Sequence, residues 1–196
     1  MIVPKHTLIF ATNNRNKVAE IQSLVGANFT IIPLKEAGIE IDIPEPHDQL
    51  EDNAKEKALT IFNMTNQNCF SEDTGLEIVA LGGAPGVKSA RYAGENSNAQ
   101  SNIDLVLSNM TGVENRTAQF RTVICLIWEN QTYYFEGICK GQILSNMQGE
   151  NGFGYDPIFV PDGASKSFAN MTMDEKNQFS HRKKAVTQLF EFLGTI

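Results

Sequence analysis

The feature that most constrains the fold is a change of period near residue 117. Before it, Ile103, Val106, Leu107 and Met110 fall on one stripe of a helix predicted over 102–110. After it, Ala118, Phe120, Ile124, Leu126 and Trp128 alternate with Gln119, Arg121, Val123 and Cys125, and 132–139, with two tyrosines and Phe135, returns as a hairpin partner. Two such long strands belong in the middle of a sheet, and their aromatics read as core. Helices to cover that sheet come from other segments. Leu8, Ile9, Phe10 and Ala11 read as a first buried strand, followed by a polar loop and a helix with Val18, Ile21 and Val25 on one face. Residues 29–33 read as a second strand, and the helix from Leu50 has Ala54, Ala58, Ile61, Phe62 and Thr65 inward. A last helix opens at 180–182, buries Val186, Leu189, Phe190 and Leu193, and is stopped by Gly194. Strands alternating with helices give an α/β class, and 196 residues fit one domain over 1–196, either simple or two-lobed.

Composition narrows the function. At 41% hydrophobic and 20% charged residues the chain reads as a soluble globular protein. No apolar run reaches bilayer length, and the apolar patch at the start is broken by Pro4, Lys5 and His6, so neither a membrane nor a leader is expected and the protein is read as cytoplasmic. Cys69, Cys125 and Cys139 have no CxxC spacing, and the three histidines have no HExxH spacing, which leaves thiolate or imidazole zinc chemistry unsupported. Any metal should be a hard one held by oxygen. The net charge of −7 argues against broad adhesion to nucleic acid, while a small anionic substrate remains allowed where positive groups cluster.

Several stretches carry polar chemistry. In residues 71–94 an apolar approach through Cys69 and Phe70 is expected to stop at Glu72, Asp73, Thr74 and Gly75, which favour turns. Adjacent acids there can hold a divalent cation, or one can poise the other as a base, or both can sit in water beside a capped turn. Thr12, Asn13, Asn14, Arg15, Asn16 and Lys17 enter the first helix, where free N–H groups and the dipole suit an anion and where ordinary capping is the simpler reading. Glu45 stands between Pro44 and Pro46 in an acidic loop expected to be exposed and irregular. Lys57 reads either as a snorkelling surface lysine or as a contributor to a site. Three glycines surround Phe153 in 149–157, either displaying it for stacking on a planar base or tucking it inward. Lys176, His181, Arg182, Lys183 and Lys184 concentrate positive charge near one helix start.

Together these motifs resemble the inosine triphosphate pyrophosphatases, the noncanonical purine nucleoside triphosphate pyrophosphatases. The resemblance is carried by TNNRNK at 12–17, EDNAKEKA at 51–58, EDTGLEIVALGGAPGVKSARYAG at 72–94, GENGFGYDPIF at 149–159 and EKNQFSHRKKA at 175–185. It implies a two-lobed single α/β domain with a long mixed sheet flanked by helices, an active site in the cleft between lobes, and commonly a homodimer. It implies Mg²⁺-dependent hydrolysis of inosine, deoxyinosine or xanthosine triphosphate to the monophosphate and pyrophosphate. Thr12, Asn14 and Lys17, with Lys57, then match triphosphate ligands, and Glu45 falls where relatives place a metal-binding glutamate. Asp73 matches the general base and metal ligand, Glu72 supports it, and Thr74 lies beside the substrate. Phe153, Gly154, Tyr155, Asp156, Lys176, His181 and Arg182 match base-binding groups. The chain departs from the family pattern at Glu72 and Thr74, where many relatives carry Asp and Ser, and at Lys88 and Asn151. A nucleotide-binding regulator without catalysis is the alternative, against which Glu45, Glu72 and Asp73 together weigh.

Overall fold

Apolar alternation and helical stripes translate directly into elements in the computed structural model, which describes residues 6–26, 29–96 and 98–195. Strand β1 (His6–Phe10) leads through helix α1 (Arg15–Gln22) to β2 (Phe29–Pro33), and α2 (Leu50–Thr65) leads to β3 (Cys69–Ile78). A two-residue β4 (Pro85–Gly86) pairs back on β3, and α3 (Ala99–Asn109) precedes the hairpin β5 (Thr117–Trp128) and β6 (Gln131–Ile143). The hairpin turns at Glu129 and Asn130, both at positive φ, the backbone that a two-residue loop needs to match strand twist. Strand β7 (Phe159–Pro161) and helices α4 (Met173–Asn177) and α5 (His181–Leu193) complete the chain. The strand order is β2-β1-β3-β5-β6-β7, parallel for β1 with β2 and β3 and antiparallel for β3 with β4 and β6 with β7. The sheet is therefore mixed, with the long hairpin inside it. Among the described residues no helix is long and apolar enough to cross a membrane.

The chain divides into two compact units. One comprises Met1–Asp73, Thr122–Gly137 and Arg182–Ile196. Within it the period of two sorts the core by face: Leu8, Phe10, Phe70, Ile124 and Leu126 pack with Ile21 of α1 and Ala185, Val186 and Leu189 of α5. Ile9, Cys69, Cys125 and Ile127 pack instead with Ala54, Ala58 and Ile61 of α2. All three cysteines are free and buried, as small apolar residues are. The second unit comprises Thr74–Arg121 and Ile138–His181, and its core gathers Leu76, Ile78, Ile103, Val106, Phe120, Phe159 and Phe168.

One sequence expectation fails here. Strand β3 does not stop at Glu72 but continues through Asp73, Thr74 and Gly75 to Ile78. Turn preference is weak compared with partners supplied by neighbouring elements, and Ser71, Glu72 and Asp73 each find such partners: Ser71 Oγ donates to the Ala54 carbonyl, and the two acids meet cations. Gly75 serves a close crossing rather than a corner, since a Cβ there would lie 2.7 Å from the Gly86 carbonyl oxygen of β4.

Gly75→Ala is therefore expected to cost about 1–3 kcal/mol through overpacking against backbone, lowering Tm by roughly 2–4 °C per kcal/mol. Gly26→Ala, with nothing within 4 Å of the added atom, serves as the control and should stay within about 0.5 kcal/mol. Thermal unfolding of both variants checks the contrast.

Candidate active site

Two charged centres occupy the first unit, one on each side of β3. Successive strand residues point to opposite faces, so Cys69, Ser71 and Asp73 share the α2 side while Phe70 and Glu72 share the α1 and α5 side. The two acids are neighbours in the chain and serve different centres.

On the α2 side, Asn53 and Lys57 stand one helical turn apart and face the strand with Ala54 and Ala58. Lys57 is 7% exposed, and its ammonium donates to Glu45 and, at 3.2 Å, to Asp73 Oδ1. The snorkelling reading of Lys57 is thus overturned: two carboxylates outweigh the cost of burial. Asn53 completes the centre. Its Oδ1 accepts from the His47 N–H at 3.0 Å, while Nδ2 donates to the His47 carbonyl at 3.1 Å and to Asp73 Oδ2 at 3.4 Å. One side chain thereby clamps the irregular acidic loop to α2 and steadies Asp73. Asn13 ties the same loop from another point, donating through Nδ2 to the Ile41 carbonyl at 3.0 Å. Burial, helped by Glu45, raises the Asp73 pKa above the usual carboxylate range, with Lys57 and Lys17 offsetting part of the rise. Burial would lower the Lys57 pKa, but Asp73 and Glu45 together raise it. The ammonium gains from two carboxylates, which share its one charge.

On the other side, Glu72 is 2% exposed and fully engaged. Arg182 Nε donates to both of its oxygens at 3.0 and 2.8 Å, Nη2 donates to Oε1 at 2.9 Å, and Lys17 Nζ lies 3.3 Å from Oε1. Arg182 Nη1 also donates to Glu20 of α1, a buried acid that the apolar pattern of that helix concealed. Burial would raise the Glu72 pKa, yet Arg182 and Lys17 bring it down to about 2. Burial likewise opposes the charge on Arg182, and Glu72 and Glu20 outweigh it.

The segment 12–17 is a capped helix start. Asn14 Oδ1 accepts from the N–H groups of Asn16 and Lys17 at 3.0 and 3.2 Å, and Thr12 Oγ1 accepts from that of Asn14 at 3.2 Å. Asn13, Asn14, Arg15 and Asn16 are exposed, whereas Lys17 turns toward Glu72.

In the second unit, Asp156 organises the glycine loop. Its Oδ2 accepts from the Phe153 N–H at 2.8 Å and from Lys176 Nζ at 2.6 Å. Gly152, at φ +74°, must lack a Cβ, because that atom would fall 2.1 Å from the same oxygen. Lys176 Nζ lies 5.2 Å from the ring centroids of Phe153 and Phe168, so one buried ammonium meets a carboxylate and two aromatic rings. His181 stacks on Phe120, with ring centroids 4.7 Å apart. Tyr155 is core rather than displayed: it is buried, and its hydroxyl donates to the Ser89 carbonyl at 2.8 Å. Gly154 and Phe153 are half-buried, as is Thr74 on β3.

The oxygen donors suit a hard cation of low protein coordination. Among the described residues no group of three or more His, Cys, Asp and Glu forms a metal cage. Glu45 and Asp73 nevertheless converge on one cationic group, and Mg²⁺ is commonly held by one or two carboxylates, with phosphate oxygens and waters completing its shell.

A mixed α/β sheet carrying buried, paired acids and ammonium groups defines the class of this protein as one built around a charged polar centre. Its family follows from comparison: residues 8–192 match the Ham1 family, and the chain belongs to it. A Flavobacterium johnsoniae protein named dITP/XTP pyrophosphatase is 48% identical over 186 residues, covering 95% of this chain and 97% of that one. A Porphyromonas gingivalis protein of the same name is 48% identical over 187 residues, covering 95% and 96%. Among solved structures, the Staphylococcus aureus Ham1 protein superposes with a TM-score of 0.87 at 35% identity, covering 96% of this chain and 98% of that one. A HAM1 protein from Coxiella burnetii gives 0.88 at 34%, covering 97% and 100%.

Because the Glu72 pKa is depressed in the fold, its contribution to stability is complete above the ordinary value of 4.5 and is lost as pH falls toward about 2. Glu72→Gln leaves Arg182 short of an anion and is expected to cost roughly 3–5 kcal/mol at neutral pH. The gap to the parent protein should narrow as pH drops from 4.5 toward 2. Denaturant unfolding at neutral and acid pH reads both effects, and a gap independent of pH would contradict the assignment.

Proposed function

We propose that this protein hydrolyses purine nucleoside triphosphates carrying a 6-oxo base, namely inosine, deoxyinosine and xanthosine triphosphates, to the monophosphate and pyrophosphate. The enzyme class, a hydrolase of the nucleoside triphosphate anhydride bond, follows from full-length relatives at up to 48% identity that bear the name dITP/XTP pyrophosphatase. The observation that carries the mechanism is the buried Asp73 carboxylate, held by Asn53 and sharing the Lys57 ammonium with Glu45. A triphosphate brings about four negative charges, so its hydrolysis needs neutralisation, a positioned water and a stabilised leaving group.

Each centre takes one of these tasks. Lys17 and Lys57 neutralise phosphate oxygens, with Thr12 and Asn14 to Asn16 lining the approach at the helix start. Asp73 orients a water and accepts its proton as the oxygen bonds to the α-phosphorus, while the α–β anhydride bond breaks and its electron pair leaves with pyrophosphate. A carboxyl raised by burial holds that proton better than an exposed one. Glu45 and Asp73 would hold Mg²⁺, whose chemistry there would be to neutralise charge on the phosphates. Glu72, saturated by Arg182 and Lys17, is assigned to holding those two cations rather than to the metal.

The groups of the second unit are assigned to the base. Phe153 offers a ring for stacking, and Lys176 and backbone N–H groups offer donors to a 6-oxo group, against which an adenine amino group would set donor against donor. Asp156 and Tyr155 hold the loop that presents them, with Gly154 and His181 beside it. A homodimer working in the cytoplasm completes the proposal, and light scattering tests its assembly.

The deciding measurement is pyrophosphate release from a panel of triphosphates with Mg²⁺. Inosine and xanthosine triphosphates should turn over well above adenosine triphosphate; saturable binding without release would leave a regulator instead. Asp73→Asn should lose roughly 10²-fold or more in kcat while the fold survives. Phe153→Ala should raise KM for inosine triphosphate by about tenfold, the scale of one lost base stack, and leave the binding of inorganic tripolyphosphate unchanged.

A further inference from the structure

We propose that Glu20 is a positioning residue for phosphate binding, acting through Arg182 and Glu72 to fix the ammonium of Lys17. The inference rests on the assignment of Lys17 to the triphosphate. It begins with a carboxylate that no apolar pattern requires: Glu20 is 6% exposed on an eight-residue helix, three positions after Lys17 and so on the same side of it. Its carboxylate accepts from Arg182 Nη1, while the opposite edge of that guanidinium holds Glu72 through Nε and Nη2. Glu72 in turn reaches Lys17. Four side chains from α1, β3 and α5 thus form a line of alternating charge, Glu20, Arg182, Glu72 and Lys17.

The order of the line matters. A guanidinium shared by two carboxylates is fixed in plane and pulls on each only in part. With Glu20 neutralised, Arg182 is free to draw Glu72 more strongly to itself. Glu72 then slackens on Lys17, whose long side chain has many rotamers to occupy. The loss appears at the phosphate end, although Glu20 lies two side chains away from Lys17 along the line. A purely structural pair joining α1 to α5 would affect unfolding and leave ligand affinity alone.

Inorganic tripolyphosphate, which has no base, isolates the effect. Glu20→Gln should bind it about tenfold more weakly, with KM for inosine triphosphate raised similarly, kcat within about threefold and the preference for inosine over adenosine triphosphate unchanged. Glu20→Asp should recover most of the affinity. Lys17→Met should bind weakly whether or not Glu20→Gln is added, because both act at one ammonium. Wild-type tripolyphosphate affinity in a folded Glu20→Gln protein, losses that multiply in the double variant, or a change confined to base preference would each overturn the proposal. Should Glu20→Gln fail to fold, Glu20→Met, which removes the charge at similar length and leaves Arg182 in place, enters the same cycle with the same expectation. A parent protein that binds tripolyphosphate through this line yet releases no pyrophosphate would sink the hydrolase reading and leave the role of Glu20 standing.

Discussion

Buried charge in the first unit depends on β3 sending neighbouring side chains to opposite faces. Glu72 and Asp73, adjacent in the chain, would repel strongly if both entered one buried space. The pleat separates them, and each face brings its own cations: Lys17 and Arg182 from α1 and α5 on one side, Lys57 from α2 on the other. Helix packing and charge pairing are consequently one requirement. The same alternation that places Phe70 and Cys69 in different apolar clusters places the two carboxylates in different polar ones. Removing a cation would weaken the compensation of a carboxylate in low dielectric, so these pairs help to specify where the helices sit.

The loops depend on single polar side chains in a comparable way. Asn53 closes two hydrogen bonds with the backbone of His47, and that fixes the segment carrying Glu45 without any secondary structure in it. Asp156 plays the corresponding part in the second unit, receiving Phe153 and Lys176 at one oxygen. Tyr155 anchors that loop to the segment beyond β4 through Ser89. In both places a buried amide or carboxylate does what a longer helix or strand would otherwise do. Glycine at 152 is the steric condition for it, because no Cβ fits beside the Asp156 oxygen.

The extent to which the sequence discloses this follows from the range of the interactions involved. Strand β2 and helix α2 begin and end where the local pattern puts them, since apolar periodicity and strand propensity are properties of short windows. The polar course of β3 was not visible that way. Glu72, Asp73, Thr74 and Gly75 look like a turn until partners 16 and 110 positions away in sequence are supplied. Lys57 looks like a surface lysine for the same reason, and Glu20 and Asn53 carry no local mark at all, although each sits on a helix one turn from a charged neighbour. Family motifs bring Lys17, Lys57 and Asp73 forward as candidates. They do not indicate that Arg182, grouped by resemblance with the base, has its guanidinium taken up by two carboxylates.

The partners of the acids distinguish the two centres. At one, Glu20 and Glu72 meet Arg182, and Glu72 meets Lys17 as well. At the other, Glu45 and Asp73 meet at the Lys57 ammonium, and Lys17 adds a smaller attraction on Asp73. Both Glu72 oxygens accept from the guanidinium, with the Lys17 ammonium beside one of them, whereas Glu45 and Asp73 share one ammonium, that of Lys57. Lys57 ties the acidic loop, through Glu45, to β3, through Asp73, so one helix side chain joins two segments that are far apart in sequence.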